Sequence, residues 1–289
     1  GLVGESGIFW FKGYGYEDKK NKIEATDETL YRVASVTKPF TATGVMILVD
    51  RGMVGLDVPV KKYIPEFSIN SINEWSRPIT VRDLLSHHSG LKRDHYRGIN
   101  IENPPPLEFL VEELKDDYLA LPTGTLFKYS NINYALLGLI IENVTGKNYS
   151  RFIKGEIFQP LRMKDTFVGF EKTGARISKS YEMKGFLFKR AKEIDQYPLR
   201  DLSAGSIISS VGDTAKFVRM ILNEGRSPAG EAIISKESLD EMFRVQYPEN
   251  ELEDDPYGLG WKVDKVPIPG IETNIRHGGT LNGFSTLIA

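Results

Sequence analysis

The sequence predicts a mixed α/β fold (α+β), in which a layer of strands and helices is interrupted by a helical insertion. Three observations indicate this fold: β-rich segments near the start, strand-like segments near the end, and strongly apolar helices between them. We therefore expect an α/β sheet domain built from residues 1–60 and 205–289. Residues 61–204 would form a mainly helical domain.

The composition is that of an ordinary globular chain and excludes several classes of function. Of 289 residues, 40% are hydrophobic and 26% are charged. The net charge of −2 and the scattered basic residues give no basic face for a nucleic acid. There are no cysteines, which excludes disulfides, thiolate metal sites and cysteine nucleophiles. The uncharged run at residues 39–49 is too short to span a membrane, and no apolar run reaches the necessary length.

The ends of the chain bear on its compartment. No leader peptide is visible, which favours the cytoplasm. The chain opens with Gly1 rather than Met, so its start looks cut. An oligomer is compatible with the sequence, which by itself does not favour one.

The first elements are strands. Residues 8–11 are β-rich and follow a turn signal at residues 4–7, which predicts a hairpin whose first strand is residues 1–3. Residues 16–21 are polar and predict a second turn.

A buried helix is predicted over residues 35–51, because this segment is apolar nearly all round. Gly52 ends it. Pro39 is tolerated only in the first turn of a helix, since proline breaks the interior hydrogen-bond ladder. Ser35 therefore lies at or near the N-terminus of this helix.

The predicted insertion begins with a capping box. Thr80 followed by Asp83 predicts a helix over residues 81–88. Residues 92–106 are polar and end in three prolines, which indicates a long surface loop. A further helix is expected over residues 107–120.

Two more helices have readable starts. Either Ser130 or Asn131 begins a strongly apolar helix that covers residues 132–144. A second capping box, Ser210 with Asp213, begins a later helix.

The segment SVTK places Ser35 three residues before Lys38. Residues with this spacing share one face of a helix, so the hydroxyl and the amine can meet. A serine is a weak nucleophile without a base, and a lysine can serve as the base when burial lowers its pKa. The helix N-terminus adds a backbone N–H suited to an oxyanion. The alternative is a chance motif with a solvated lysine, which the buried helix disfavours.

Tyr129 and Asn131 stand just before the second apolar helix. A phenol there can relay a proton, and an amide can hold a carbonyl group. The structural alternative is a tyrosine packed in the core with Asn131 as a helix cap.

A third candidate is the segment His277 to Thr280, which includes Gly279 and precedes a strand-like run at residues 284–288. Its glycines allow close approach of another backbone or of a ligand. The alternative is an ordinary turn that contains a histidine.

His87, His88 and His95 lie close together in sequence and raise the question of a metal. They lack the i, i+4 spacing that places two ligands on one helix face. We expect neither a metal nor another cofactor.

Taken in order, the three motifs S-x-x-K, Y-x-N and H-x-G resemble those of the serine β-lactamase and penicillin-binding protein superfamily. The branch with class C β-lactamases, carboxylesterases and D-amino-acid peptidases is the most similar. The resemblance extends over roughly residues 8–288 and includes these further segments: YRVASVTK (31–38), LLSHHSGL (84–91), PTGTLFKYSN (122–131), LLG (136–138) and IFQPL (157–161).

The resemblance implies an antiparallel sheet flanked by helices, an all-helical subdomain, and an active site in the cleft between them. It implies that Ser35 is the acylated nucleophile. Lys38 and Tyr129 would share the proton transfers, and Asn131 would contact the substrate. The resemblance also implies a helix before the first strand and a strand and a helix at the end. We expect that these elements are either missing from this sequence or supplied otherwise.

The third motif would also bind substrate, through His277, Gly279 and Thr280. The resemblance implies an oxyanion hole formed by the backbone N–H groups of Ser35 and Thr280. His277 replaces a lysine that orients the substrate carboxylate in many β-lactamases. A histidine carries less permanent charge, so we expect weak or absent β-lactamase activity.

Three functions remain open. The first is a serine hydrolase that acts through an acyl-enzyme on small esters, amides or peptides. The second is a sensor of the penicillin-binding type that is acylated with little turnover. The third is a structural member that forms assemblies. Intact motifs favour the hydrolase, with a small molecule or peptide as its only expected partner.

Overall fold

The computed structural model describes residues 1–170, 177–185, 190–247, 256–268 and 271–289. It confirms the mixed α/β fold, with antiparallel strand pairs and helices. The described strands are β1 (Leu2–Gly4), β2 (Gly7–Trp10), β3 (Tyr16–Asp18), β4 (Ile23–Glu24), β5 (Tyr31–Arg32), β6 (Phe167–Val168), β7 (Tyr181–Lys184), β8 (Arg190–Glu193), β9 (Ile207–Ser209), β10 (Lys262–Ile268), β11 (Ile271–Leu281) and β12 (Phe284–Ile288).

The described helices lie between β5 and β10, and five of them follow one another between β5 and β6. They are α1 (Thr37–Asp50), α2 (Val81–Leu85), α3 (Glu108–Leu114), α4 (Asn131–Thr145), α5 (Tyr149–Ile153), α6 (Leu202–Gly205), α7 (Val211–Leu222) and α8 (Lys236–Phe243). Short 3-10 turns cover Ala34–Val36 and Val60–Lys62, and a π-helical turn covers Lys154–Phe158.

Two three-stranded sheets frame the start of α1. In the first, β11 lies between β10 and β12, and β11 and β12 close on a two-residue turn at Asn282-Gly283. Gly283 has φ 78°, the left-handed region that such hairpin turns require. In the second, β9 lies between β5 and β6. Because β5 runs directly into the 3-10 turn at Ala34–Val36, the sheet fixes where α1 begins.

Helix α1 is the centre of the core, as its apolar sequence predicts. Every residue from Thr37 to Leu48 is buried. Phe40 stacks on Phe217 with ring centroids 3.9 Å apart. Helix α4 packs against α1, and both helices are apolar enough to be covered on all sides.

The boundaries of α4 show why the chain turns where it does. The side chain of Ser130 accepts a hydrogen bond from the backbone N–H of Asn133, so Ser130 is the N-cap. Gly146 ends the helix with φ 66°, a conformation that glycine adopts without steric cost. Of the two predicted starts, Ser130 is therefore the cap and Asn131 is the first helical residue.

Most predicted elements are confirmed, including the first hairpin and the helix that starts close to Ser35. Three boundaries were wrong. Tyr16–Asp18 forms strand β3 rather than a turn. Helix α2 ends at Leu85 rather than at residue 88, because the chain turns sharply where His87 adopts φ 64°. Helix α3 ends at Leu114, six residues before the predicted end.

The two predicted capping boxes differ in outcome. Thr80 and Asp83 form a reciprocal box at the start of α2. Ser210 caps α7 by accepting from the N–H of Asp213. The Asp213 carboxylate instead accepts from the N–H of Asp165 at 2.6 Å, which ties α7 to the segment before β6.

The division into a sheet domain and a helical domain stays a prediction. Residues 61–204 contain α2 to α5 and most of α6, but also the short strands β6, β7 and β8. In the described part of the chain, no helix combines the length and the apolar character that crossing a bilayer requires.

Candidate active site

Ser35 lies in the 3-10 turn between β5 and α1, and hydrogen bonds from β9 and β12 hold the residue before this turn. The N–H of Val33 donates to Ile207 O at 3.0 Å, and Thr286 Oγ1 donates to Val33 O at 2.7 Å. Ala34 has φ 51°, a conformation that costs a non-glycine residue of order 1–3 kcal/mol. Such strain persists because neighbouring hydrogen bonds over-determine the backbone, so Ser35 is held in a fixed position.

Lys38 lies one helical turn further, and its side chain is fully buried. Its Nζ is 3.2 Å from Ser35 Oγ, 2.8 Å from Asn131 Oδ1 and 2.8 Å from the backbone oxygen of Ala204. The predicted contact between Ser35 and Lys38 is therefore present. Ala204 belongs to α6, so a backbone carbonyl from a distant element completes the surroundings of the amine.

Burial lowers the pKa of Lys38 from its ordinary value of 10.5 to about 7. The carboxylates of Asp94 and Asp201 oppose this shift, and the Arg93 guanidinium adds to it. A lysine with a pKa near neutrality is partly uncharged at physiological pH, which is what a general base requires.

Tyr129 lies against the same two residues. Its hydroxyl is hydrogen bonded to Ser35, and its ring centroid is 4.9 Å from Lys38 Nζ. Burial raises the pKa of Tyr129 to about 12, so the phenol keeps its proton at neutral pH. Tyr129 can therefore donate or relay a proton but is not a phenolate base.

Both ends of the Asn131 amide are engaged by protein groups. The Oδ1 atom accepts from Lys38, and Nδ2 donates to Asp94 Oδ1 at 2.6 Å. The backbone N–H of Asn131 donates to Arg93 O at 2.7 Å. Asn131 thus links the lysine to a carboxylate from residues 92–106.

The third motif lies on β11, directly against the Ser35 turn. A β-carbon at Gly279 would lie 2.3 Å from Val33 O and 3.0 Å from the backbone nitrogen of Ser35. Only glycine permits this approach, which explains the residue type. The next residue, Thr280, lines the same two cavities as Ser35.

His277 lies beside this pair with only 5% of its surface exposed. Its Nδ1 is 2.7 Å from Gly278 O, and a carbonyl only accepts, so Nδ1 carries the proton. Burial and the nearby Lys38 lower the pKa of His277 to about 3. The histidine is therefore neutral at pH 7, and its Nε2 is an acceptor.

Two cavities meet at Ser35 and Thr280. One, of about 370 Å³, lies on the His277 and Tyr129 side. The other, of about 350 Å³, lies on the Asn131 side. A larger cavity of about 580 Å³ between the N-terminal hairpin and β12 contains none of the predicted site residues. The chemistry at Ser35, rather than size, identifies the candidate site.

The histidines considered as metal ligands have other environments. His87 is buried, and its Nδ1 accepts from the backbone N–H of Ser130 at 3.1 Å. Nδ1 of His88 lies 2.9 Å from Ser86 O. Within the residues that the structure describes, no group of three or more His, Cys, Asp or Glu side chains is arranged to hold a metal.

Two groups of the site were missed from the sequence. The carbonyl of Ala204 has no side-chain signal, because any residue supplies a carbonyl. Asp94 lies in a polar segment without periodicity, where a single aspartate does not stand out. The only available signal was the position of this segment in the chain, between two motifs of the site.

The fold is similar to that of several solved structures. The octameric penicillin-binding protein homologue from Pyrococcus abyssi has a TM-score of 0.82 and 28% identity, covering 99% of this chain and 64% of that one. The D-amino acid amidase from Ochrobactrum anthropi SV3 has a TM-score of 0.74 and 27% identity, covering 94% and 76%.

Curated relatives match over nearly the whole chain. Protein flp from Staphylococcus aureus (strain MW2) is 30% identical over 291 residues, which is 99% of this chain and 55% of the relative. The unguisins hydrolase ungD' from Aspergillus campestris (strain IBT 28561) is 29% identical over 297 residues, 97% of this chain and 53% of the relative. The chain thus spans about half the length of these relatives. The family model described as Beta-lactamase matches residues 2–289, and the chain belongs to this family.

Proposed function

We propose that the protein is a serine hydrolase that acts through an acyl-enzyme on small esters, amides or peptides. The observation that carries this proposal is the buried amine of Lys38, held 3.2 Å from Ser35 Oγ with a pKa of about 7. A buried lysine whose pKa is lowered by desolvation, in contact with a serine hydroxyl at the edge of a cavity, is the arrangement expected of a functional base.

The surroundings of Lys38 suit the neutral amine. A neutral amine has two N–H donors and one lone pair. Asn131 Oδ1 and Ala204 O are acceptors and take both donors. The lone pair is then directed to the remaining neighbour, the hydroxyl of Ser35, from which it can take a proton.

Acylation follows from this arrangement. Ser35 Oγ forms a bond to the substrate carbonyl carbon as its proton passes to Lys38. When the tetrahedral intermediate collapses, the bond to the leaving group breaks, and Tyr129 relays the proton to the departing oxygen or nitrogen. Water then forms a bond to the acyl carbon and gives a proton to Lys38. The bond from that carbon to Ser35 Oγ breaks, Lys38 returns the proton to Oγ, and the acid is released.

The backbone N–H groups of Ser35 and Thr280 form the oxyanion hole in this proposal. Leu281 and Phe284 are the hydrogen-bonded pair that closes the β11–β12 hairpin. Hydrogen-bonded and non-hydrogen-bonded pairs alternate along antiparallel strands, so the backbone N–H of Thr280 does not bond to β12. Strand β10 pairs with β11 only as far as Arg276, so it does not reach Thr280. We infer that the Thr280 N–H is directed to the cavities that Thr280 and Ser35 both line.

Neutral His277 favours esters, amides and peptides over penicillins in this proposal. It offers no fixed positive charge to a substrate carboxylate at neutral pH, because its pKa is about 3. Similarity to an unguisins hydrolase supports hydrolysis, and similarity to a D-amino acid amidase supports an amide as the substrate.

A structural role is the alternative with a specific observation behind it, since one similar structure is an octamer. Assembly and catalysis are compatible in one protein. Light scattering coupled to size-exclusion chromatography measures the assembly independently of activity.

The proposal is tested by incubating the protein with p-nitrophenyl esters, amino-acid amides and benzylpenicillin, and then with a fluorophosphonate probe. We expect turnover of esters or amides and labelling of the protein, both lost in Ser35→Ala. Ser285→Ala changes an exposed serine on β12 and is the matched control. Stoichiometric labelling without turnover supports a sensor. An absence of both signals, or efficient turnover of penicillin alone, contradicts the proposal.

A further inference from the structure

The segment before Tyr96 is bound to the start of α4. Ser130 Oγ donates to Lys92 O at 2.6 Å, and the N–H of Asn131 donates to Arg93 O at 2.7 Å. The backbone on the N-terminal side of Asp94 is therefore fixed to the residues that carry the Y-x-N motif.

The other side of Asp94 is held by a buried arginine. Arg200 is 2% exposed and donates to Arg97 O at 2.6 Å and to His95 O at 3.0 Å. Its Nε and Nη2 also bond the two oxygens of Asp201 at 2.7 and 3.1 Å. Asp94 thus lies between two anchors and has a defined position, although the segment contains neither helix nor strand.

From this position Asp94 decides the orientation of the Asn131 amide. A carboxylate only accepts hydrogen bonds, so the contact of 2.6 Å requires that Nδ2 face Asp94. The amide oxygen must then face Lys38, where it is 2.8 Å from Nζ. With the amide reversed, two donors would face each other at Lys38.

Asp94 also carries one of the few charges near the lysine. The titratable groups around Lys38 come from several elements: His87, Arg93, Asp94, Tyr129, Tyr134, Asp201 and His277. The two histidines have lowered pKa values and the two tyrosines raised ones, so all four are neutral at pH 7. Asp201 is paired with Arg200.

The remaining charges are Arg93 and Asp94, which form a pair with Arg93 Nε 3.3 Å from Asp94 Oδ2. They act on Lys38 in opposite directions, since the carboxylate raises its pKa and the guanidinium lowers it. Arg93 also lies 5.6 Å from the ring centroid of Tyr129.

We propose that Asp94 is a positioning residue for the Ser35–Lys38 pair: it holds the Asn131 amide with its oxygen toward the lysine, and together with Arg93 it sets the charge around that lysine. This inference rests on the proposed function. It assigns Asp94 a role that a simple anchor for the loop would not have, while the bonds to the carbonyls of residues 92, 93, 95 and 97 hold Asp94 in place.

Three substitutions separate these roles. Asp94→Asn removes the charge but keeps an oxygen that can accept from Asn131 Nδ2. Asp94→Ala removes both, and Arg93→Gln removes the opposite charge. Glu113→Gln is the control, because Glu113 pairs with Arg97 and His95 on the same segment but does not act on Lys38.

The measurement is the dependence of kcat/KM on pH. In Asp94→Asn we expect the acid limb to move to lower pH with at most about a threefold loss on the plateau. In Arg93→Gln it moves to higher pH. In Asp94→Ala the acid limb also moves to lower pH. The plateau value of kcat/KM falls roughly tenfold or more as well, because the amide of Asn131 is free to turn. Glu113→Gln leaves the limb in place.

A second measurement does not depend on turnover. The titration of Lys38 can be followed by NMR in protein with ¹³Cε-labelled lysine, with the signal assigned by its loss in Lys38→Met. A Lys38 titration midpoint that moves to lower pH in Asp94→Asn and to higher pH in Arg93→Gln supports the inference, even where no substrate is hydrolysed. The absence of hydrolysis would count against the proposed function alone. Unchanged titration in both variants, in protein that remains folded, overturns the inference.

Discussion

The amine of Lys38 lies 4.9 Å from the centre of the Tyr129 ring, and burial moves the pKa values of the two groups in opposite directions. The pKa of the lysine is lowered to about 7 and that of the tyrosine is raised to about 12. In water the two groups titrate close together, near 10. Here the lysine loses its proton first, so the active state has a neutral amine and a protonated phenol. Groups with separated pKa values take separate roles in proton transfer.

The first prediction concerns pH. In the proposed mechanism the base is neutral Lys38, so kcat/KM should rise with pH through a midpoint near 7 and then level off. The protonated amine dominates below the midpoint and cannot accept a proton from Ser35. The measurement is ester hydrolysis between about pH 5 and about pH 10, corrected for the uncatalysed rate. A midpoint near the ordinary lysine value would show that Lys38 is not the base.

The second prediction concerns the phenol. Tyr129→Phe keeps the ring but removes the hydroxyl that contacts Ser35, so kcat should fall by about 10²- to 10⁴-fold. The free energy of unfolding should change little, because the hydroxyl is hydrogen bonded within the catalytic site rather than to the core. Both quantities are measured on the same preparation.

Tyr134→Phe is the matched control for this variant. The Tyr134 hydroxyl donates to Leu85 O at 2.9 Å in the core, and its ring also lies near Lys38, at 5.4 Å. Its loss should cost about 1 kcal/mol of stability and leave most of the activity. Equal losses of activity in the two variants would contradict the proposed role of Tyr129 in proton transfer.

The sequence predicted the contact between Ser35 and Lys38 because helical geometry alone brings residues three apart together. It predicted the glycine at 279 as a point of close approach, and the structure identifies the neighbour as the Ser35 turn. Both inferences rest on local rules, in which residue type and spacing limit the geometry.

Asp94 and the carbonyl of Ala204 could not be predicted in this way. Their positions depend on contacts between segments far apart in the chain, such as the bonds from Arg200 to the carbonyls of residues 95 and 97. A polar segment without periodicity carries no signal for such contacts. The predicted end of α2 was wrong for a similar reason. Positive φ is uncommon for every residue except glycine, so the turn at His87 could not be located from residue type alone.

The third prediction concerns Gly279. A β-carbon there would lie 2.3 Å from Val33 O and 2.6 Å from Thr286 Oγ1, and the first of these is backbone that cannot rotate away. Gly279→Ala should therefore displace β11 from the Ser35 turn. We expect a loss of about 1–3 kcal/mol in stability and of about 10²-fold in the rate of acylation, since small misplacements of reacting groups are costly.

Gly278→Ala is the control for the steric part. A β-carbon at Gly278 would meet no atom closer than Thr286 O at 3.8 Å, an ordinary contact distance. Denaturant unfolding should give nearly the wild-type midpoint for this variant. If Gly279→Ala were as stable and as quickly acylated as wild type, β11 would not be confined against Ser35.

The last prediction links the base to stability. Between pH 7 and the ordinary lysine value of 10.5, the unfolded chain binds a proton at Lys38 that the folded chain does not. The free energy of unfolding contributed by this group therefore increases with pH across that window and is constant below it. Lys38→Met lacks this dependence, so its stability relative to wild type should improve as the pH is lowered from 10.5 to 7. The upper limit of the change is roughly 5 kcal/mol.

Chemical denaturation of both proteins at several pH values measures this difference. In Lys38→Met, Ala204 O and Asn131 Oδ1 lose a hydrogen-bond donor, which lowers stability by the same amount at every pH. This constant cost cancels when the slopes of the free energy of unfolding against pH are compared. Lys61→Met alters an exposed lysine and should run parallel to wild type. Parallel curves for Lys38→Met as well would mean that Lys38 is as easily protonated in the folded state as in the unfolded chain, which contradicts a role as a neutral base. A difference in the free energy of unfolding between the two proteins that changes with pH and becomes constant near pH 7 would show that burying Lys38 in its neutral form destabilises the fold.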